Sequence, residues 1–350
     1  MLPRHLPTPR TPSSMDAPPL RWGILGTGWI ADRFVQSLHA STQQTVQAVG
    51  SRSRASAERA ADAFGAPTAY DSYAGLVADP SVDVVYVATP HNFHLPHALL
   101  AIEAGKHVLI EKPVGLDAGE ARAIDAAARA AGVFCMEAMW SLFLPKFDVI
   151  AQLLDDGVLG PVHTVLADMG ESFESSHRIF DAALAGGPLL DLGTYPTTFA
   201  TWVLGAPTSV TAMGTAASNG INGQVGAVLS TPDSLAQLHF TILGETPTTA
   251  AISGSEGVLE IDRIFYRPGP FTLRDATGRG TLRWEEPLID HAGLHFEAAE
   301  VARRIQAGET GSPIRPMNRT IETLEVMDRI REAVGFDFDA ARAARHAADD

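Results

Sequence analysis

The 350-residue sequence contains very little cysteine, no excess of basic residues and no long apolar run. Cys135 is the only cysteine, which excludes a disulfide framework and a thiolate zinc site. It lies in the apolar run of residues 133–136, without a neighbour that would activate its thiol. We therefore interpret Cys135 as a core residue and not as a nucleophile.

The acidic balance restricts the partners. The formal net charge is -15 at pH 7, whereas nucleic acids and anionic membrane surfaces are bound by basic surfaces. No apolar run reaches the roughly 18 residues of a transmembrane helix. Residues 1–19 are rich in proline where a signal peptide needs an apolar helix. We expect a disordered tail over residues 1–19, no nucleic-acid or membrane partner, and a cytoplasmic protein.

Strand and helix patterns alternate between residues 20 and 136. Short apolar runs have the composition of buried parallel strands, and the helical segments between them end at glycines such as Gly65 and Gly132. This alternation predicts an α/β protein with a doubly wound parallel sheet of the Rossmann type over residues 20–136. The predicted strands are residues 20–26, 45–50, 82–89, 106–113 and 133–136.

The pattern changes near Glu137. Strand-like segments follow one another without helices between them, and helical patterns return at residues 296–307 and 318–334. We predict an α+β domain over residues 137–335 with a large, mostly antiparallel open sheet, and a tail over residues 336–350. Its predicted strands are residues 162–169, 210–215, 226–230, 235–243, 248–253 and 258–261.

The stretch GILGTGWIA, residues 23–31, lies between a predicted strand and a predicted helix. Gly26 would permit the tight turn, and Gly28 would let the backbone approach a pyrophosphate at the amino end of the helix. A glycine-rich turn without a ligand is the alternative, but the strand–helix context favours a dinucleotide. The expected cofactor contacts in the loop are Gly26, Thr27, Gly28, Trp29 and Ile30.

The end of the second strand indicates which dinucleotide is bound. An NAD site usually carries Asp or Glu there, whereas this sequence has Ser51 and Arg52. A hydroxyl group beside a guanidinium suits a 2′-phosphate. The alternative is that the arginines of this segment are merely solvated. We predict NADP as the cofactor, with NAD as the alternative.

Three residues are candidates for the chemistry. Lys112 lies at the carboxyl end of a predicted parallel strand, where open α/β sheets place their ligands. Asp191 and Tyr195 are four residues apart and would share one face of a helix. The alternatives are a surface lysine, an aspartate that caps a helix and a tyrosine of the core.

The motifs taken in order resemble the Gfo/Idh/MocA oxidoreductases. They are ATPHNFHLPHALLAIEAGKHVLIEKP, GGPLLDLGTYP and ISGSEGVLEI, followed by the closing helices. Tyr195 and the segment MEAMWSLFLPKF are most similar to the branch of dimeric dihydrodiol dehydrogenase and D-xylose 1-dehydrogenase. Leu142 departs from that branch, where arginine is usual.

The resemblance implies further site residues and an assembly. It implies a cis Lys112–Pro113 bond, and substrate contacts from Lys112, Asp191, Tyr195, Trp140 and Arg178. It also implies a homodimer or homotetramer formed through the open sheet. The cofactor contacts that it implies outside the glycine loop are Thr89, Pro90, His91, Asn92, His94, Glu111 and Lys112.

Hydride transfer from an alcohol requires a group that takes the hydroxyl proton. The Lys112 ammonium would stabilise a Tyr195 phenolate and lower its pKa from about 10. Tyr195 would then exchange the proton, while Asp191 holds substrate hydroxyls. Lys112 as the proton donor remains the alternative.

The histidines of the sequence do not predict a metal site. His91, His94 and His97 are spaced closely, but no carboxylate lies among them, and we expect no metal site. His97 is interpreted as helix surface. His239, His291 and His295 are interpreted as ordinary sheet or surface residues, although one of them could face the pocket.

We therefore expect an NAD(P)-dependent enzyme that acts on CH–OH groups of a sugar, a cyclitol or a vicinal diol. An NAD-linked inositol or sugar dehydrogenase is the first alternative. The others are a sensor of this fold that binds the dinucleotide without turnover, and a glycosidase that uses NAD.

Overall fold

The computed structural model describes residues 2–217 and 221–349. Predictions for Met1 and Asp350, at the ends of the two expected tails, lie outside the described residues. The chain divides into two compact units. The parallel-sheet unit comprises Pro12–Phe143 and Ile289–Ile321, and the eight-stranded unit comprises Met1–Thr11, Leu144–Leu288 and Glu322–Asp350. Residues 289–321, predicted as part of the second domain, therefore belong to the parallel-sheet unit.

The parallel-sheet unit contains six parallel strands in the order β3-β2-β1-β4-β5-β6. The strand order reverses between β1 and β4, and such a reversal opens a crevice at the carboxyl ends of the strands. The strands are β1 Arg21–Leu25, β2 Thr45–Gly50, β3 Thr68–Tyr70, β4 Val84–Val87, β5 His107–Glu111 and β6 Cys135–Ala138.

Helices surround this sheet. Glycines with positive φ end two of them, Gly65 after α2 (φ 64°) and Gly132 after α5 (φ 66°), as the sequence predicted. In the core, the Phe34 ring stacks on the Tyr86 ring at a centroid distance of 4.0 Å. The helices are α1 Trp29–Ser41, α2 Arg54–Phe64, α3 Tyr73–Val77, α4 His94–Glu103, α5 Ala118–Ala131 and α8 His295–Gln306.

The eight-stranded unit contains one sheet in the order β14-β13-β12-β11-β7-β10-β9-β8. Neighbouring strands are antiparallel except β7 and β10, which are parallel. The predicted fold class is thus confirmed. The strands are β7 Val162–Gly170, β8 Ser209–Ala216, β9 Asn222–Ser230, β10 Leu235–Thr241, β11 Ala250–Gly254, β12 Gly257–Ile261, β13 Phe271–Asp275 and β14 Thr281–Trp284.

One face of this sheet is buried and the other is open. Burial alternates along β10, where Ala236, Leu238 and Phe240 are buried and Leu235 is exposed. The buried face packs against α7. The helices of this unit are α6 Pro145–Asp155, α7 Thr194–Leu204, α9 Met317–Val334 from Glu322 onward, and α10 Asp339–Asp349. In the described residues, every helix is too short or too polar to cross a membrane.

Both predicted tails contain ordered segments. Ser14 begins a short 3-10 turn and its hydroxyl lies 2.8 Å from Nδ1 of His295. Ala17 is buried against Ala299 and Ala302 of α8. The expectation of a disordered tail is corrected for residues 14–17, because a hydroxyl group and a small apolar side chain anchor them. Residues 336–350, expected as a tail, include α10.

Candidate active site

The glycine loop joins β1 to α1. Gly26 has φ 101°, and a Cβ atom added there would lie 2.6 Å from the carbonyl oxygen of Ala88. Gly28 is the N-cap of α1, which begins at Trp29, and no described side chain caps the amide groups of this helix end. An added Cβ at Gly28 would have no described atom within 4 Å. The loop therefore presents backbone N–H groups to an open space, as an anion site does.

The end of β2 places two arginines in different surroundings. Arg54 pairs with Glu58 one helical turn later, at 2.7 Å. Burial raises the pKa of Tyr73, and the positive charge of Arg52 acts in the opposite direction. The nitrogen of Ser51 donates to the carbonyl oxygen of Tyr70 at 3.1 Å. Arg52 is exposed beyond the carboxyl end of β2, and the glycine loop follows the carboxyl end of the neighbouring strand β1.

His94 connects the segments that follow β4 and β5. It is fully buried, with Nε2 2.8 Å from the carbonyl oxygen of Thr89 and Nδ1 2.7 Å from that of Pro113. Both ring nitrogens thus contact backbone, although the sequence analysis expected His94 to contact the cofactor. His91 and Asn92 are also buried, and Pro90 is half-buried.

His97 is half-buried and packed, whereas the sequence analysis interpreted it as helix surface. Its Nδ1 lies 2.9 Å from Oγ1 of Thr89, and its ring packs against Tyr73 and Phe93. Burial lowers the pKa of His97 to about 4. The apolar partners lie on α3 and in the turn before α4, and nothing in the local helical pattern of α4 indicates them.

Buried carboxylates hold the backbone around Lys112. The expected cis Lys112–Pro113 bond is present. The nitrogen of Lys112 donates to Oε2 of Glu111 at 3.0 Å, and the nitrogen of Val114 donates to Oε1 of Glu137 at 3.1 Å. Glu111, expected as a cofactor contact, also accepts a hydrogen bond from the hydroxyl of Tyr86. The backbone on both sides of Lys112 is therefore fixed.

A buried ion pair supports this arrangement. Arg315 donates through Nε to Oε2 of Glu137 at 2.8 Å, and its Nη2 lies 2.6 Å from the same oxygen. The hydroxyl of Thr320 also donates to this oxygen, at 3.2 Å. Glu137 and Arg315 are 1% and 3% exposed. Their separation in the chain explains why the sequence analysis did not connect Arg315 with Lys112.

Trp140 is buried directly after β6, and its ring stacks on His291 at a centroid distance of 5.4 Å. The ring of His291 also lies 4.7 Å from that of Trp29, the first residue of α1, in a T-shaped arrangement. Nδ1 of His291 lies 3.0 Å from a carboxylate oxygen of Asp290. His291 thus connects two predicted site residues. The sequence analysis interpreted His291 as an ordinary sheet or surface residue, whereas its ring contacts with Trp140 and Trp29 arise from tertiary packing.

Asp191 and Arg178 meet in the eight-stranded unit. Arg178 contacts the carboxylate of Asp191 through Nη2 at 2.5 Å and through Nη1 at 3.3 Å. Asp191 lies in a π-helical turn, Leu189–Gly193, which continues into α7. The segment is helical, as the four-residue spacing predicted, but Asp191 lies in a π turn with i→i+5 bonding and Tyr195 in the α-helix that follows. Such turns occur often at functional sites.

Tyr195 is the second residue of α7 and is 7% exposed. Its ring stacks on that of Tyr266, with a centroid distance of 4.1 Å and an interplanar angle of 19°. The sequence analysis missed Tyr266, because it follows β12 in a segment without a periodic pattern.

Comparison with known proteins agrees with these features. Residues 20–139 match the Gfo/Idh/MocA family model described as "Oxidoreductase family, NAD-binding Rossmann fold". Residues 147–260 match the model of the family's C-terminal domain. The chain is 35% identical to trans-1,2-dihydrobenzene-1,2-diol dehydrogenase of Mus musculus, over 91% of this chain and 98% of the relative. The enzyme of that name from Bos taurus is 32% identical, with the same coverage.

A solved structure is similar over the same length. It is a 3-ketoreductase from Actinomadura kijaniata in complex with NADP and TDP-benzene. The TM-score is 0.80 and the sequence identity 27%, covering 91% of this chain and 98% of that chain. The resemblance stated from the motifs is thus confirmed. The chain belongs to the Gfo/Idh/MocA family of oxidoreductases, with an NAD-binding Rossmann domain followed by the family's C-terminal domain.

Proposed function

We propose that the protein is an NAD(P)-dependent dehydrogenase or reductase that acts on a hydroxyl-bearing carbon of a sugar, a cyclitol or a vicinal diol. One observation carries the proposal. The glycine loop after β1 and Lys112 after β5 lie at the same carboxyl edge of one parallel sheet. The similarity to diol dehydrogenases over 91% of the chain supports the substrate class.

The residues of the glycine loop fit a dinucleotide. The amide groups at the start of α1 have no side-chain cap in the described structure, and the space over Gly28 is open. These groups would bind the pyrophosphate, and the bound nicotinamide would supply or accept the hydride. Thr89 and Asn92 follow β4 at the same edge and would line the ribose.

Tyr195 and Lys112 are the proposed proton-transfer residues. Tyr195 would take the proton of the substrate hydroxyl in oxidation and return it in reduction. The Lys112 ammonium would stabilise the negative charge on the phenol oxygen and so lower its pKa. Lys112 as the proton donor, with Tyr195 orienting the substrate, is the second form of the mechanism.

Asp191, Arg178 and Trp140 are the proposed substrate contacts. The Asp191 carboxylate can accept hydrogen bonds from hydroxyl groups, and its contact with Arg178 fixes its orientation. The flat ring of Trp140 offers an apolar surface for the carbon skeleton. A carboxylate and an aromatic surface of this kind suit a small substrate with several hydroxyl groups.

NADP is the proposed cofactor. The exposed Arg52 next to Ser51 suits a 2′-phosphate, and the similar ketoreductase structure contains NADP. We expect Arg52→Ala to lower kcat/KM for NADP by about 10-fold or more, because a charge-assisted phosphate contact contributes about 1.5–3 kcal/mol. The activity with NAD should change little.

Arg54→Ala provides the matched control for this experiment, because Arg54 already pairs with Glu58. Steady-state kinetics of both variants with both cofactors makes the comparison. An equal loss in Arg52→Ala and Arg54→Ala, or a wild-type enzyme that prefers NAD, would contradict the assignment of NADP.

The open sheet face is the proposed surface of a homodimer or homotetramer. Val228, Gln237, Leu166 and Ala251 form one cross-strand row on this face, and Leu166 and Val228 are 42% and 41% exposed. Apolar side chains in such a row favour contact with a second copy. A cytoplasmic location stays a prediction, consistent with a single cysteine in a reducing compartment.

A further inference from the structure

The side chain of Tyr266 lies against the proposed acid–base residue. The rings of Tyr195 and Tyr266 are nearly parallel, 4.1 Å apart, and the residues are 7% and 4% exposed. The guanidinium of Arg267 lies 5.5 Å from the centre of the Tyr266 ring. A second aromatic ring therefore covers one face of the Tyr195 phenol within the same unit.

The segment that carries Tyr266 is anchored at several points. It connects β12 to β13, and the nitrogen of Phe265 donates to the carbonyl oxygen of Thr248 at 3.0 Å. The nitrogen of Gly269 donates to Oε1 of Glu286 at 2.8 Å. These hydrogen bonds on both sides of Tyr266 hold its backbone in place, and with it the ring that stacks on Tyr195.

Lys146 adds the most deeply buried of these anchors. It is fully buried on α6, and its ammonium donates to the carbonyl oxygen of Arg267. Burial lowers the pKa of Lys146 to about 8, while the charges of Glu286 and Asp262 act in the opposite direction. A buried cation is costly unless it is hydrogen-bonded. Its position here supports the backbone next to Tyr266.

We propose that Tyr266 is a positioning residue that holds the Tyr195 ring in one orientation and shields it from water. The inference rests on the proposed role of Tyr195. Stacked aromatic pairs have a preferred offset geometry, and the direction of the Tyr195 hydroxyl follows from the plane of its ring. A displacement of about 1 Å at a reacting group can reduce the rate by about 100-fold. Shielding from water also disfavours the phenolate.

The test compares Tyr266→Ala with Tyr266→Phe in the full-length protein. Tyr266→Ala should lower kcat by about 10- to 100-fold with little change in KM for NADP. It should also move the limb of the pH–rate profile that belongs to Tyr195 to lower pH, because water then stabilises the phenolate. Tyr266→Phe keeps the ring and should retain kcat within about 3-fold.

Phe271→Leu is the structural control. Phe271 is buried in the same unit, and its described ring partner is Trp284 and not Tyr195. An equal loss of kcat in Phe271→Leu, or an unchanged kcat and pH profile in Tyr266→Ala, would overturn the proposal. If Tyr266→Ala does not fold, Tyr266→Leu takes its place under the same two criteria.

Tyr195→Phe separates this proposal from the proposed function. If Tyr195→Phe retains full turnover, the acid–base role of Tyr195 fails and the proposal for Tyr266 fails with it. If Tyr195→Phe is inactive while Tyr266→Ala behaves as the wild type, only the role of Tyr266 is overturned. In the double variant, Tyr266→Ala should cause no further loss beyond that of Tyr195→Phe.

Discussion

Glu297 illustrates at the residue scale how a buried carboxyl group links stability to pH. It is fully buried on α8. Burial raises the pKa of Glu297 well above its ordinary value, and the carboxylates of Glu111 and Glu137 act in the same direction. The folded protein therefore retains a proton that the unfolded chain releases above about pH 4.5.

We predict that Glu297→Gln is more stable than the wild type at pH 8. The wild-type free energy of unfolding falls as the pH rises above about 4.5, by at most about 1.4 kcal/mol for each pH unit, until the folded carboxyl group also ionises. Glutamine removes this contribution. Chemical denaturation at pH 5 and pH 8 makes the comparison, with the exposed Glu103→Gln as control. Equal pH dependence in Glu297→Gln and wild type would contradict the prediction.

Site residues that follow a recognisable strand could be predicted from the sequence, whereas those placed only by tertiary packing could not. Lys112 and Arg52 directly follow recognisable strands, so their position relative to the sheet could be predicted. Tyr266 lies in an irregular segment and His291 in a short 3-10 turn, and the ring contacts of both depend on tertiary packing. No local period or motif indicates such contacts.

At the scale of elements, the amino end of α1 offers a direct test of the cofactor loop. Gly28 has φ −80°, a value open to any residue, and its Cβ position is open in the described structure. Gly26 has φ 101° and no room for a Cβ atom beside the backbone of Ala88. The two glycines should therefore respond differently to alanine.

We predict that Gly28→Ala folds with wild-type stability but binds NADP about 10-fold or more weakly, because the methyl group would occupy the space that the pyrophosphate needs. Gly26→Ala should lower the free energy of unfolding by about 1 kcal/mol or more, because its backbone conformation is strained for alanine. Thermal unfolding and calorimetric titration with NADP distinguish the two. Unchanged NADP affinity in Gly28→Ala would argue against a pyrophosphate at this loop.

The elements themselves were predictable to different degrees. The parallel strands are continuous apolar runs and the adjoining helices end at glycine, so the sequence pattern identified β1, β2, β4, β5 and β6. The short strand β3 has only half-buried residues, and β13 and β14 lie between irregular segments. The π turn before α7 was missed because a four-residue spacing does not distinguish it from an α-helix.

At the scale of the whole molecule, the order of elements along the chain does not follow the two units. Residues 289–321 return to the parallel-sheet unit, whereas the predicted boundary at Glu137 divided the chain once. Hydrophobic periodicity identifies a helix such as α8 but carries no information about the unit against which it packs. That choice depends on contacts between residues far apart in the chain, such as Ala17 with Ala299.

The open face of the eight-stranded sheet gives a prediction at this scale. The wild type should elute as a dimer or tetramer in size-exclusion chromatography. Leu166→Glu should shift it towards the monomer, because a charge placed in an apolar contact loses its hydration. Asp233→Lys, an exposed charge change in the loop between β9 and β10, is the control. A wild type that is monomeric at all concentrations would contradict the assembly.

The proposed activity is tested most directly by the turnover of Lys112→Met with NADP and a panel of sugars, cyclitols and vicinal diols. The absorbance of the reduced nicotinamide measures this turnover. The wild type should turn over at least one of these substrates. Lys112→Met should lower kcat by about 10²–10⁴-fold, while the affinity for NADP stays within a few-fold. A variant that keeps wild-type turnover, or a wild type that binds NADP and turns over no member of the panel, would contradict the proposal.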